Sequence, residues 1–164
     1  MPPAPPSQVA MVAVVGSSVA TAEESALAFA VGAALAEAGA TLVCGGLGGV
    51  MEAACRGARE KGGTTVGILP GSDRRAANPY VGVAIATGLG EARNAVVVGC
   101  ADAVIAVGGE FGTLSEIALA LCAGKPVIGL RTWELRRRGE AVEAVVEAAD
   151  AASAVALALE GARS

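Results

Sequence analysis

The sequence predicts an α/β fold: a doubly wound parallel sheet of about six or seven strands with helices on both faces. Three observations carry this. Short apolar, often β-branched runs alternate with longer helical segments, which is the pattern of strands buried on both faces and joined by helical crossovers. Glycine turns follow several of the runs directly. The composition is 54% hydrophobic with 23 glycines and only 2% aromatic residues, which favours a densely packed α/β core over disorder or an all-β sandwich.

The elements follow in order. Val9–Val15 is a near-continuous apolar run ending at Gly16-Ser17-Ser18, so it reads as a buried strand leading into a loop. Thr21-Ala22-Glu23-Glu24 has the form of a capping box and opens a helix to about Ala38, stopped by Gly39. Thr41–Cys44 is the second strand, and a helix over Gly49–Lys61 ends at Gly62-Gly63. Thr64–Leu69 is a third strand closed by Pro70-Gly71, and the polar stretch Ser72–Tyr80 is a surface loop. Val81–Ala86 is a strand, Gly90–Cys100 a helix, and Ala103–Val107 a strand. Thr113–Ala123 is helical, and Pro126–Leu130 is a sixth strand. Ala141–Ala149 fits a helix or a short strand, and Asp150 is a good N-cap for a last helix to about Leu159. This gives one domain over 9–164, preceded by a disordered proline-rich tail over 1–8.

Composition excludes several functions. At net charge −4 there is no basic field for nucleic acid, and the few aromatics are scattered in sequence, so no nucleic-acid partner is expected. Without histidine there is neither His-based acid–base catalysis nor a His-containing metal site, and no metal is expected. Cys44, Cys55, Cys100 and Cys122 show no C-x-x-C spacing and read as buried core residues of a reduced, cytoplasmic protein. No uncharged apolar run is long enough to span a membrane. Ser25–Ala36 carries no charge and Leu114–Ala123 only Glu116, so these helices are candidates for burial against a second subunit.

Two glycine turns carry the chemistry, Cys44-Gly45-Gly46-Leu47-Gly48-Gly49-Val50-Met51 and Gly108-Gly109-Glu110-Phe111-Gly112-Thr113-Leu114-Ser115-Glu116. Glycine lets backbone N–H groups crowd an anion, and a following helix N-terminus adds positive potential. With Gly16-Ser17 and Gly88-Leu89-Gly90, they lie at strand carboxyl ends, where open α/β sheets bind ligands. Glu116 is the sharpest single residue, though Thr113-x-x-Glu116 is also a capping-box spacing, as Thr21-x-x-Glu24 is. Arg93, just inside a helix, can aim its fork at a phosphate or carboxylate or simply lie in solvent. The first turn lacks the Gly-Lys-Ser/Thr of a P-loop, and the first strand lacks G-x-G-x-x-G. Lys61 and Lys125 do not look like Schiff-base lysines, so pyridoxal chemistry is not expected.

Gly16-Ser17-Ser18, Cys44-Gly45-Gly46-x-x-Gly49-Val50-Met51, Arg93 and Gly112-Thr113-x-x-Glu116 together resemble the LOG (LONELY GUY) family, often labelled "possible lysine decarboxylase". The second motif is most similar to a small-protein branch that resembles the molybdenum cofactor carrier proteins. The resemblance implies a Rossmann-like fold and usually a homodimer; a homodimer or higher homo-oligomer and no cofactor are expected. For enzymatic members it implies hydrolysis of the N-glycosidic bond of a nucleoside 5′-monophosphate to free base and ribose 5-phosphate. Arg93 and Glu116 then fall on the catalytic positions. Gly16, Ser17, Gly45, Gly46, Gly49, Met51, Gly108, Gly109, Gly112 and Thr113 fall on the phosphate- and nucleotide-binding ones. The chain departs from the enzymes at Cys44, Asn94, Gly108, Glu110 and Ser115, losing a cation and a carboxylate. The leading expectation is therefore a phosphoribohydrolase for a small phosphorylated ligand, and the alternative is a non-catalytic nucleotide or pterin-phosphate carrier.

Overall fold

The computed structural model describes residues 8–164; the expected proline-rich tail, save Gln8, lies outside the described residues. The order is β1 (Met11–Gly16), α1 (Ala22–Glu37), β2 (Thr41–Cys44), α2 (Val50–Glu60), β3 (Thr65–Leu69), β4 (Val83–Ala86), α3 (Asn94–Cys100), β5 (Ala103–Val107), α4 (Phe111–Cys122), β6 (Val127–Leu130), β7 (Arg136–Arg137), β8 (Glu140–Ala141), β9 (Val146–Glu147) and α5 (Ala151–Gly161). Seven strands form one sheet in the order β4-β3-β2-β1-β5-β6-β9, while β7 and β8 make a small separate hairpin. Every pairing in the main sheet is parallel. This is the expected doubly wound, Rossmann-like architecture.

Alternation along the strands divides the core into two layers. Val12, Val14, Leu42, Cys44, Ile105 and Val107 face α1, α2 and α5. Ala13, Val15, Val43, Val104 and Ala106 face α3 and α4 on the other side. Strand order reverses at the centre, since the chain leaves β1 outward through β2, β3 and β4 and then returns to β5 on β1's other flank. The crevice beyond the carboxyl ends of β1 and β5 is thus the switch point where this topology leaves room for a ligand.

Several boundaries differ from the sequence reading. The helix expected over Gly90–Cys100 is a tight 3-10 turn, Gly90–Arg93, followed by α3. Gly90 sits at φ 60°, and the turn carries Arg93 into the interior. Helix α4 begins at Phe111 rather than Thr113, with Glu110 as an N-cap whose side chain bonds nothing in the helix. The ambiguous segment after Ala141 resolves as the short strand β9. Asp150 does cap α5, accepting from Ser153 N at 2.8 Å.

The uncharged stretch Ser25–Ala36 of α1 is packed within the chain itself. It packs against α2 and α5. A Cβ on Gly32 would strike the Ala54 carbonyl, and one on Gly57 the Phe29 carbonyl, so only glycine permits this helix–helix approach. The absence of a charged face on α1 therefore calls for no second subunit. Helix α4 differs: Phe111, Ser115, Ala118, Leu119 and Cys122 form an exposed uncharged face.

Candidate functional site

A cavity of about 220 Å³ opens at the switch point. Of the expected residues, Gly16, Ser17, Gly45, Met51, Arg93, Gly112, Thr113 and Glu116 line it together. Gly46, Gly49, Gly108 and Gly109 do not, because their backbones serve the turns behind it. Gly46 backs onto Leu69. Gly49 caps α2 at φ 63°, with Ser17 O pressed against it. Gly108 lies under Glu24, and Gly109 under the Thr113 side chain. The Gly88–Gly90 turn also stays off the lining; Glu91 reaches it instead.

The two walls are tied to each other. Val50 N donates to Ser17 O at 3.0 Å, fixing the β1 loop to the start of α2. The Ser17 hydroxyl turns back to accept from Val19 N at 3.1 Å. From the Ser72–Tyr80 loop, Asn78 N donates to Gly46 O and Asn78 Nδ2 to Leu47 O, both at 2.9 Å. Asn78 thus braces the first glycine turn, a role its sequence context gives no sign of.

Arg93 is buried, at 5% exposure, rather than solvated. Gly45 is the reason it fits, since a Cβ there would land on the guanidinium. Arg93 Nη1 donates to Asn94 Oδ1 at 2.8 Å and lies 3.9 Å from Glu116 Oε1. Arg93 Nε is the one buried side-chain polar atom among the described residues without a partner. Asn94 therefore orients the arginine through its side-chain oxygen.

Glu116 is not a cap. Because α4 starts at Phe111, Thr113 already lies within the helix and cannot act as its N-cap. The comparison inside the chain is direct: Thr21 Oγ1 accepts from Glu24 N at 3.1 Å and Glu24 Oε2 accepts from Thr21 N at 2.8 Å, a complete capping box. Glu116 instead points into the cleft, buried, and burial pushes its carboxyl up to about 7. Arg93 pulls the other way, less strongly, and Glu91 adds to the rise. Glu91 and Glu110 also line the cavity, so Arg93 is the only cation among three carboxyl groups.

Beneath the first turn, Cys44 Sγ lies 3.5 Å from Cys55 Sγ and accepts from Gly46 N at 3.3 Å. The Cys55 hydrogen bond is the main influence holding Cys44 below the usual thiol value despite its burial, and the same hydrogen bond, followed by burial, pushes Cys55 up. The other two cysteines, expected in the core, are exposed on α3 and α4. No group of three or more metal-ligating side chains occurs among the described residues. Lys125 Nζ donates to the Val98 and Gly99 carbonyls at the end of α3, Lys61 pairs with Glu37 at the surface, and neither lines the cleft. Phe111 and Trp133, distant in sequence, pack with ring centroids 5.8 Å apart. No described helix is long and apolar enough to cross a membrane.

Residues 9–159 match the SLOG cluster4 family. The chain belongs to that family. A relative in Archaeoglobus fulgidus, described as an uncharacterized protein, is 46% identical over 120 residues, 73% of this chain and 79% of its own. Among solved structures, the molybdenum cofactor binding protein of the phototrophic bacterium Rippkaea orientalis superposes with TM-score 0.84 at 35% identity, covering 93% of this chain and 97% of that one. The molybdenum cofactor carrier protein of Chlamydomonas reinhardtii gives TM-score 0.80 at 32% identity, covering 96% and 100%. The match names SLOG cluster4 and not the LOG enzymes, so the comparisons favour the carrier side of the resemblance over its hydrolase side.

Proposed function

We propose that this SLOG cluster4 protein binds a small phosphorylated ligand of the pterin-cofactor type at the β1/β5 switch point and acts as a carrier rather than a hydrolase. The observation that carries the reading is the likeness, along nearly the whole chain, to two molybdenum cofactor binding and carrier proteins. The cleft is consistent with it. Gly16, Gly45 and Gly112 bring backbone close to an anion, α4 opens at the lining, and Arg93 supplies one oriented cation. The cavity is smaller than the ~300–1,000 Å³ of sites that enclose a drug-sized ligand, which suits a phosphate and its adjoining ring or sugar with the remainder outside. The two close, buried thiols fit a reducing, cytoplasmic setting. The exposed uncharged face of α4 fits a homodimer.

One observation favours a second reading, hydrolysis of a nucleoside 5′-monophosphate. Glu116 and Arg93 share the cleft 3.9 Å apart, and a carboxyl near 7 can serve as acid or base. Incubation with a panel of nucleoside 5′-monophosphates separates the readings, with thermal shift and free-base release measured in the same samples. The carrier reading expects stabilisation without base release, and a pterin recoverable by oxidation from protein purified anaerobically. Base release by the wild type that is absent from Glu116→Gln would replace it with the hydrolase.

A further inference from the structure

The cleft combines features that sit poorly with simple anion binding. Three of its carboxyl groups, on Glu91, Glu110 and Glu116, face one arginine, yet the glycine turns and the start of α4 are built to receive an anion. Glu91 and Glu110 are exposed and can turn to water, whereas Glu116 is held at 6% exposure. Among the described residues Glu116 takes no hydrogen bond from any protein group. Its nearest cation, Arg93 Nη1, stands 3.9 Å away and is already engaged by Asn94 Oδ1 at 2.8 Å. The groups facing Glu116 from the elements around it are Arg93 and Glu91 on the turn before α3, Cys44 at the end of β2, and Glu110 before α4. Only Arg93 among them favours a charged carboxylate.

We propose that Glu116 enters the ligand complex as a neutral carboxyl that donates a hydrogen bond to an acceptor atom of the phosphorylated ligand, so that binding above neutral pH draws in one proton. A buried carboxylate with free oxygens can accept hydrogen bonds or repel an anion, but it cannot donate to one. Protonation turns the repulsion into a donor aimed at a phosphate oxygen, ring nitrogen or carbonyl. The proton comes from solvent, and no bond to the ligand is made or broken. Burial already holds the empty-site carboxyl near 7, and an anion brought alongside raises it further. Proton uptake therefore falls in the window above about pH 7, where the free site is ionised and the complex is not. The ligands selected are those presenting an acceptor, not a donor, to the second turn of α4.

The inference rests on the cleft being the phosphate-ligand site, and the experiment separates the two. Guanosine 5′-monophosphate, which carries a pterin-like 2-amino-4-oxo edge, and ribose 5-phosphate are titrated calorimetrically at pH 6 and pH 8 in buffers of different ionisation enthalpy. Glu116→Gln, neutral at every pH, supplies the baseline for the phosphate's own titration. At pH 8 the wild type should take up close to one proton more per ligand than Glu116→Gln. Its affinity relative to that variant should fall about tenfold between pH 6 and pH 8. Binding with equal proton counts in the two proteins, or a wild-type count near zero at pH 8, overturns the neutral-carboxyl role and leaves the site reading intact. Absence of binding by either probe at either pH overturns the site reading and this inference with it.

Discussion

Glu116 opposes folding when it is ionised, because its carboxylate gives up water and gains only a distant, shared arginine in return. The unfolded chain releases this proton near the ordinary carboxyl value of 4.5, and the folded protein near 7. Between those values the native state holds the extra proton, so stability attributable to Glu116 is fully present below about pH 4.5 and declines up to about pH 7. The shift corresponds to roughly 3 kcal/mol. Glu116→Gln should therefore be about as stable as the wild type at pH 4 and about 3 kcal/mol more stable at pH 8, read from urea midpoints at the two pH values. A constant offset across that range would remove the burial cost from the account. Gly45 and Asn94 set the other half of the site at this scale. One leaves space for the guanidinium and the other fixes its rotation, so the single cation of the cleft depends on a missing Cβ and on one amide oxygen.

Among the elements, the α1–α2 contact makes the sharpest stability test. The two helices meet where Gly57 faces the Phe29 carbonyl and Gly32 the Ala54 carbonyl, with no room for a side chain at either place. Gly57→Val forces the helices apart and should cost about 3 kcal/mol or more, lowering the thermal midpoint while the circular dichroism of the folded protein stays helical. A midpoint within a degree of wild type would mean the pair separates freely. These elements also show what a sequence displays. The strands were legible because strands such as β1, β2 and β5 are apolar on both faces and end in glycine turns. The start of α4 was not, because Glu110 caps it through backbone alone and leaves no side-chain signature. That displacement of two residues decides whether Glu116 reads as a cap or as a cleft carboxyl. Glycine motifs likewise located the cleft but only part of its lining: Gly16, Gly45 and Gly112 line it, while Gly46, Gly49, Gly108 and Gly109 support turns, and which side of a turn faces the cleft depends on contacts such as those with Leu69, Ser17 and Glu24 far away in sequence. Asn78 carried no motif at all, and Asn94 was marked only as a departure from one.

At the scale of the whole molecule, the distribution of charge over the two helical layers is uneven. On one side the uncharged middle of α1 packs against α2 and α5, and this layer shows water Glu37 at the end of α1, Lys61 just after α2 and Glu160 on α5. On the other side the outward stripe of α4, Phe111, Ser115, Ala118, Leu119 and Cys122, stays exposed among the described residues, with Phe111 touched by Trp133, and has no charge along its length; Phe111 is 76% and Leu119 37% exposed. An exposed apolar stripe of this kind marks a surface made for contact, and a two-fold dimer lets one such stripe meet its own copy. Small residues at Ser115 and Ala118 allow two α4 helices to approach closely, and Phe111 and Leu119 supply the apolar area at the ends of the stripe. Light scattering behind a sizing column should accordingly give twice the monomer mass. Leu119→Glu would place two like charges opposite or beside each other across the axis and should yield monomer at micromolar concentration with unchanged secondary structure. Because α4 also carries Thr113 and Glu116 on its inner face, the same substitution reads out coupling between assembly and the cleft. If the monomer binds guanosine 5′-monophosphate as the dimer does, the cleft is complete in one chain; weaker binding by the monomer would mean that pairing of the α4 faces helps hold Glu116 in place. A wild type that elutes and scatters as monomer would instead leave the stripe to a different partner surface.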